Sequence, residues 1–263
     1  FDLIKYQDGF LLRFPSSRKI DVLTEFEDVP QLFNVYKKYK EWGKRIGVTS
    51  VASLNKIVND RKTKDFINIT ETLQAKQIAD IADKIHAKGT VKVVLIAGPS
   101  SSGKTTTSKK LSMQLKVLGY QPKVIELDTY YLNRGQTPKD ENGDYDYECL
   151  EALDVKQLNE DLVNLFSVKE VKLPSYNFAE GKRYYSGKIT KLEENDILIM
   201  EGIHGLNDKL TPLIPQEQKF KIYLSALTQL NLDDHNRIPT SDNRLIRRIV
   251  RDAQYRGKSA ADT

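Results

Sequence analysis

The sequence predicts an α/β fold: a parallel sheet flanked by helices, with a β-hairpin insertion, preceded by a mostly helical N-terminal region. Three observations predict it. From Val91 onward, the short apolar runs "VKVVLIA", "KVIEL", "DILIMEG" and "KFKIYLSA" alternate with longer helical stretches, the rhythm of parallel strands joined by crossover helices. The first run passes into "GPSSSGKTTTSKKL", a glycine-bounded turn that opens a helical pattern. Upstream, residues 31–88 carry their apolar side chains at helical spacing instead.

The totals fit this class. Of 263 residues, 39% are hydrophobic and 29% charged, enough apolar material for one large core or two smaller ones, and two domains are expected. No apolar stretch approaches the length of a membrane span and no secretory leader is recognisable, so no membrane partner is expected. A single cysteine, Cys149, leaves no intramolecular disulfide and no cysteine-rich zinc site, and points to a reducing cytoplasm. A net charge of +5 suits anionic partners, phosphorylated metabolites or RNA among them. Opening at Phe1 and closing at Thr263 inside a polar stretch, the chain reads as a fragment whose C-terminal domain is truncated.

Taken in order, the first thirty residues mix β-like runs such as "GFLLRF" with Pro15 and Pro30 and read as a partial β-element. Leu32, Phe33, Val35, Tyr36, Tyr39 and Trp42 then predict a helix from Gln31 to about Ile46. "VTSVASLNKIV" predicts a second, with Ser50 as its cap. "ITETLQAKQIADIADKIHAKG" predicts a third, with Thr70 as N-cap and Gly89 as its stop. The change of pattern there sets the expected domains at 1–88 and 89–263. Helices follow from about Lys104 to Leu118 and Val155 to Phe166, and residues 171–192 predict the hairpin.

Gly98, Gly103, Lys104 and Thr105 complete G-x-x-x-x-G-K-[ST] between a predicted strand and a predicted helix, the context a phosphate-cradling P-loop requires. Successive backbone N–H groups converge there on phosphate oxygens at the positive end of the helix. Lys104 would reach the β- and γ-phosphates and Thr105 a magnesium ion. A plain Gly/Ser-rich turn with a solvated lysine is the alternative, and the strand–turn–helix context weighs against it.

"KVIELDTYYLNR" ends a β run on Asp128, at the sheet edge where open α/β folds bind ligands. This acid could ligate magnesium through water, deprotonate an acceptor hydroxyl, or cap a turn. "DILIMEGIHGL" ends a third run on Glu201, suited to a magnesium ligand and followed by Gly202 in a kinase-like manner. No guanine-selecting N-K-x-D occurs, and His204 reads as structural or as part of the site rim rather than as a base. In "DNRLIRRIVRDAQYRGK", Arg244, Arg247, Arg248 and Arg251 share one helical sector, and Arg256 follows. Beside a P-loop this face suits a lid over transferred phosphate; a solvated face or an RNA-binding strip is the competing account.

Together, "GPSSSGKTT", "LDTYY", "DYDYECLEALD", "LPSYNF", "ILIMEGIHGL" and "DNRLIRRIVRD" resemble the uridine kinase and phosphoribulokinase group of P-loop kinases over about 91–263. Residues 1–88 resemble the segment preceding the kinase in a bacterial uridine kinase-like subgroup, whose longer members carry upstream modules resembling the editing region of threonyl-tRNA synthetase. The resemblance implies ATP on the loop formed by Gly98, Ser100, Ser101, Ser102, Gly103, Lys104, Thr105 and Thr106, with Arg256 nearby, and Mg²⁺ at Thr105 and Glu201. It implies Asp128 as the base for a nucleoside 5′-hydroxyl, with Lys104, Arg247 and Arg251 as its catalytic companions. Asp146 would bind the ribose hydroxyls, Tyr131 and Tyr176 would line the nucleoside pocket, and Arg244 would lie near ribose. Where family members carry Y-D-F and then a base-reading histidine, "YNFAEGKRY" has Asn177 and, near the histidine's place, Gly181.

The expected function is therefore ATP-dependent phosphorylation of a nucleoside, uridine or cytidine foremost. The alternatives are a kinase of the same fold acting on a sugar phosphate or another small alcohol, and an ATP-binding regulatory or RNA-linked protein. The family resemblance also implies homo-oligomers, and nucleic-acid contact is expected only through the N-terminal extension.

Overall fold

The computed structural model describes residues 1–15, 20–228, 230–233, 236–255 and 259–262. The chain forms two compact units, Phe1–Thr49 and Ser50–Thr263. In the first, strands β1 (Asp2–Tyr6) and β2 (Gly9–Arg13) pair as an antiparallel hairpin, and helix α1 (Pro30–Arg45) starts on a proline whose missing N–H costs nothing at that position. Tyr6 meets Phe26 and Phe33 edge-on, with ring centroids 5.4 and 5.1 Å away.

The second unit opens with α2 (Val51–Asn59), capped as the sequence predicts: the Ser50 hydroxyl accepts from the Ser53 N–H and the Ser53 hydroxyl from the Ser50 N–H. Helix α3 (Thr63–Lys88) ends at Gly89, whose φ of 67° is the left-handed conformation glycine adopts without strain. Its start differs from expectation. Thr70 is not the cap but lies inside the helix, where its hydroxyl donates to the Phe66 carbonyl at 2.8 Å.

Next come β3 (Val93–Ala97), α4 (Lys104–Val117), β4 (Gln121–Glu126) and α5 (Val155–Phe166). The insertion follows as β5 (Val171–Lys172), β6 (Ser175–Asn177), β7 (Lys182–Tyr184) and β8 (Ile189–Thr190), then β9 (Asp196–Gly202), β10 (Lys219–Tyr223) and α6 (Thr240–Tyr255). The central sheet has the order β10-β3-β9-β4, every neighbour parallel. Two-residue alternation along its strands sorts the core into two faces. Val93, Leu95, Leu198 and Met200 pack with Leu158, Leu162 and Leu165 of α5. Val94, Ile96, Ile197 and Ile199 pack with Ile78, Ala82 and Ile85 of α3 and Leu111 and Leu115 of α4. Each such side chain contributes about 1.5–3 kcal/mol by leaving water. Because α3 covers one face of the sheet, the compact units part at Thr49 and Ser50, whereas the sequence pattern changes at residue 88.

The inserted segment is a nested pair of antiparallel ladders, β5 with β8 and β6 with β7. It is tied to the core through Arg183, which donates to the Asp154 carboxylate at 2.8 Å. Asp154 also accepts the Gln157 N–H at 3.0 Å and so caps α5. Burial opposes ionisation of Asp154, but the Gln157 N–H and the Arg183 guanidinium outweigh it and hold the carboxyl below its ordinary range.

Asp154→Ala is expected to lower the unfolding free energy by about 1–2 kcal/mol, read as a shifted urea midpoint. The folded pKa lies below the unfolded value of about 3.9, so this stabilisation is present above that pH and is lost as pH falls through the folded pKa. The gap between wild type and variant should therefore close in acid; a gap unchanged at the acid end would contradict the assignment.

Candidate active site

Parallel strands put all their carboxyl ends on one edge of the sheet, and a cleft of about 1430 Å³ opens there. β3 leads into the glycine-bounded loop, and α4 begins at Lys104. A Cβ on Gly98 would lie 2.4 Å from the Leu224 carbonyl oxygen and 2.8 Å from the Ser102 hydroxyl, so only glycine fits. Gly103, at φ 95°, turns the chain into the helix.

Lys104 curls back over the loop, its Nζ donating to the carbonyls of Gly98 at 2.9 Å and Pro99 at 3.3 Å. Burial depresses its pKa; Glu201 and Asp128 oppose that shift, while Arg251 and Arg244 add to it. Thr105 donates its hydroxyl to Glu201 Oε1 at 2.5 Å. Glu201 lies beside Ile96 of β3 and Glu126 of β4 in the ladder and is 5% exposed. Burial raises its pKa, the Thr105 hydroxyl and Lys104 pull it down, and Asp128 and Glu126 push it up again.

Asp128 sits in the tight turn Leu127–Tyr130 immediately after β4 and faces the same cleft. Beyond it the wall is aromatic. Tyr131 meets Tyr147, Tyr176 and Phe178 edge-on at 5.5, 5.7 and 6.4 Å, and its hydroxyl donates to the Tyr147 carbonyl at 3.1 Å. From the opposite side α6 lays its arginines on the loop. Arg244 Nε donates to the Ser100 carbonyl at 3.3 Å, Arg247 Nε to the Ser101 carbonyl at 3.2 Å, and Arg251 Nη1 to the Ser100 hydroxyl at 3.3 Å.

Most residues singled out in the sequence thus converge: Ser100, Ser101, Gly103, Lys104, Thr105 and Thr106 line the cleft with Asp128, Tyr131, Tyr176, Glu201, Arg247 and Arg251. Gly98 and Ser102 shape the loop from behind, and Arg244 reaches the loop without lining the cleft. Arg256 lies outside the described residues. Asp146 is not itself among the residues lining the cleft. Its Oδ1 accepts the N–H groups of Glu148 at 2.8 Å and Cys149 at 3.2 Å, an aspartate turn, and the cleft is lined by Tyr145, Tyr147 and Glu148 around it. His204 is set back from the cleft lining, with Nε2 buried and unbonded among the described residues.

Several lining residues escaped the sequence reading, Glu126 and Arg134 among them. Glu126 precedes Asp128 by two positions, so strand alternation at the end of "KVIEL" was a usable signal. Arg134 carried none. It donates to the carbonyls of Phe178 and Ala179, both at 3.2 Å, and so pins the β6–β7 turn.

The site has oxygen donors suited to a hard cation in Thr105 and Glu201. No group of three or more His, Cys, Asp or Glu among the described residues could hold a metal unaided, so water and phosphate oxygens would complete its shell. The buried hydroxyls of Ser101 and Ser102, unpartnered among the described residues, fit phosphate in the same way.

A parallel sheet with this loop, lysine and hydroxyl–carboxylate pair at its carboxyl edge defines a P-loop protein built for nucleoside-triphosphate chemistry. The phosphoribulokinase/uridine kinase family model matches residues 93–263, and the chain belongs to that family. It is 32% identical over 167 residues to a uridine kinase of Ligilactobacillus salivarius, covering 64% of this chain and 69% of that one. To a uridine kinase of Macrococcus caseolyticus it is 33% identical over 168 residues, 64% and 71% of the two chains. A solved structure described as a possible uridine kinase from Bacillus stearothermophilus is 23% identical, covers 69% of this chain and 91% of its own, and gives a TM-score of 0.47.

Gly98→Ala tests the loop. The contact with the Leu224 backbone leaves the added methyl no flexible neighbour to displace, so the loop must shift. ATP affinity by calorimetry should fall about tenfold or more. Unchanged affinity would show that the loop does not depend on this close approach.

Proposed function

We propose that this protein is a nucleoside kinase that transfers the γ-phosphoryl group of ATP to a nucleoside 5′-hydroxyl, with uridine and cytidine the foremost acceptors. The observation that carries the reading is the meeting of the Lys104 loop, the Thr105–Glu201 pair, Asp128 and an aromatic wall in one cleft. Membership of the family and the names of the relatives support it.

In this reading the loop N–H groups and the start of α4 cradle the phosphates. Lys104 leaves the Gly98 and Pro99 carbonyls for the more strongly accepting β- and γ-oxygens. Thr105 and Glu201 would hold Mg²⁺, which supplies neutralisation of the phosphate charge when bound. The nucleoside lies against Tyr131 and Tyr176, and Asp128 accepts the proton of the 5′-hydroxyl as its oxygen attacks the γ-phosphorus. The bond to the β–γ bridging oxygen breaks, ADP leaves, and Arg247 and Arg251 balance the charge that spreads over the transferring group. Asp146 has one carboxylate oxygen outside its turn bonds with which to meet ribose hydroxyls.

One observation favours a second reading, a same-fold kinase for a different small alcohol. The Asn177 side-chain oxygen accepts the N–H groups of Ala179 and Glu180 and is thereby occupied. Measuring ADP release with a panel of nucleosides and sugars separates the two. Residues 1–88 are proposed as an appended module, and their synthetase-linked resemblance rests on sequence alone. No helix among the described residues is long and apolar enough to cross a membrane.

Lys104→Ala and Asp128→Asn should each reduce turnover by about a hundredfold or more, while only the first strongly weakens ATP binding. Near-normal turnover in Asp128→Asn would remove it as the base. Because burial raises the Glu201 pKa above 4.5, its carboxylate is lost at a higher pH than an ordinary glutamate's. Activity should therefore fall on the acid side at a pH where carboxylates of ordinary pKa are still ionised, and added magnesium should shift that limb to lower pH; a limb insensitive to magnesium would assign it to another group.

A further inference from the structure

We propose that Asp252 is a positioning residue that aims Arg251 into the phosphate end of the cleft, an assignment that rests on the kinase reading above. Four arginines in one helical sector repel one another, and the rotamer freedom of each long side chain works against a fixed aim. One carboxylate is placed to counter both effects. Asp252 is 1% exposed, its Oδ1 lying 2.7 Å from Arg251 Nε and 2.7 Å from Arg251 Nη2, its Oδ2 3.7 Å from Arg248 Nε.

The burial is asymmetric. The acid is covered, whereas the Arg251 and Arg248 side chains keep 30% and 41% of their exposure and line the cleft. The cationic half is thereby left facing the ligand site, where it can meet an anion. With Nε and Nη2 turned to Asp252, the remaining edge of the Arg251 fork, Nη1, points to the loop and lies 3.3 Å from the Ser100 hydroxyl. The carboxylate thus orients a planar group whose bond directions are rigid, and a guanidinium aimed in advance loses less entropy when it meets phosphate.

The test is a double-mutant cycle in the full chain, reading ATP affinity by calorimetry and turnover by ADP release with uridine. Asp252→Asn is expected to weaken ATP binding about threefold to tenfold and to lower kcat a further tenfold or more, because charge on the transferring group is felt most in the transition state. In the Arg251→Ala background the same change should cost less than about threefold in either readout, since Asp252 acts through the missing guanidinium. Asp252→Glu, which keeps the charge, should recover part of the lost turnover and guards against a folding defect in the asparagine variant.

Wild-type affinity and turnover in Asp252→Asn, or an undiminished penalty in the Arg251→Ala background, would overturn the assignment. A wild-type protein that binds ATP but phosphorylates no nucleoside would instead overturn the kinase reading, and the affinity half of the cycle would still decide the role of Asp252.

Discussion

The hydrogen bond from Thr105 to Glu201 is the interaction on which the rest of the site depends. All seven residues of β9 are buried, and the strand nevertheless carries the carboxylate of Glu201 one residue before its end, in the middle of the sheet. Such a group is costly unless a donor meets it. The donor comes from the first turn of α4, so the helix that presents the loop is tied to the strand that presents the acid. The register of β3 with β9, which sets Ile96 beside Glu201 and Ala97 beside Gly202, then fixes where the loop leaves the sheet. Gly202 completes the arrangement: a Cβ there would lie 2.7 Å from that of Leu127, so its absence lets the turn bearing Asp128 close against the end of β9.

What the sequence discloses follows from how local the determinants are. The loop, Lys104 and Thr105 are legible because a strand, a turn and a helix follow one another without interruption. The arginine face is legible because helical geometry fixes which side chains share a sector, and Arg244, Arg247 and Arg251 do reach the loop. Thr70 misleads because a threonine hydroxyl bonded to the carbonyl four residues back looks, in sequence, like a cap. The place of α3 against the sheet depends on Ile78, Ala82 and Ile85 meeting strands that come later in the chain, which no window of helical periodicity contains.

The aromatic side of the cleft is legible only as a set of residue types. Tyr131, Tyr147 and the pair Tyr176 and Phe178 come from three segments, and the contacts of Tyr131 with that pair arise only once the insertion is held in place. Two arginines do this at different points. Arg183 ties β7 to the cap of α5, and Arg134 holds the turn between β6 and β7 through two carbonyls. Gly181, at φ 66°, allows the Arg134 side chain to pass where a Cβ would meet its Nε at 2.6 Å. Neither arginine belongs to a recognisable motif, because each acts on backbone or on an acid many residues away.

Several cations around the loop share a further property. Lys104, Arg244 and Arg247 all donate to backbone carbonyls of residues 98–101, so the charge of these three rests on neutral acceptors belonging to the loop itself, whereas Arg251 is paired with Asp252. A phosphate oxygen carries a negative charge that a carbonyl lacks, so these cations would be drawn more strongly to phosphate than to the carbonyls that hold them. Within the loop the Ser102 N–H donates to the Pro99 carbonyl at 3.2 Å, and the loop's carbonyls hold the cations close by. The same residues thereby store the charge at the site and yield it to the ligand, and the cost of gathering mutually repelling cations is met during folding, before any triphosphate arrives.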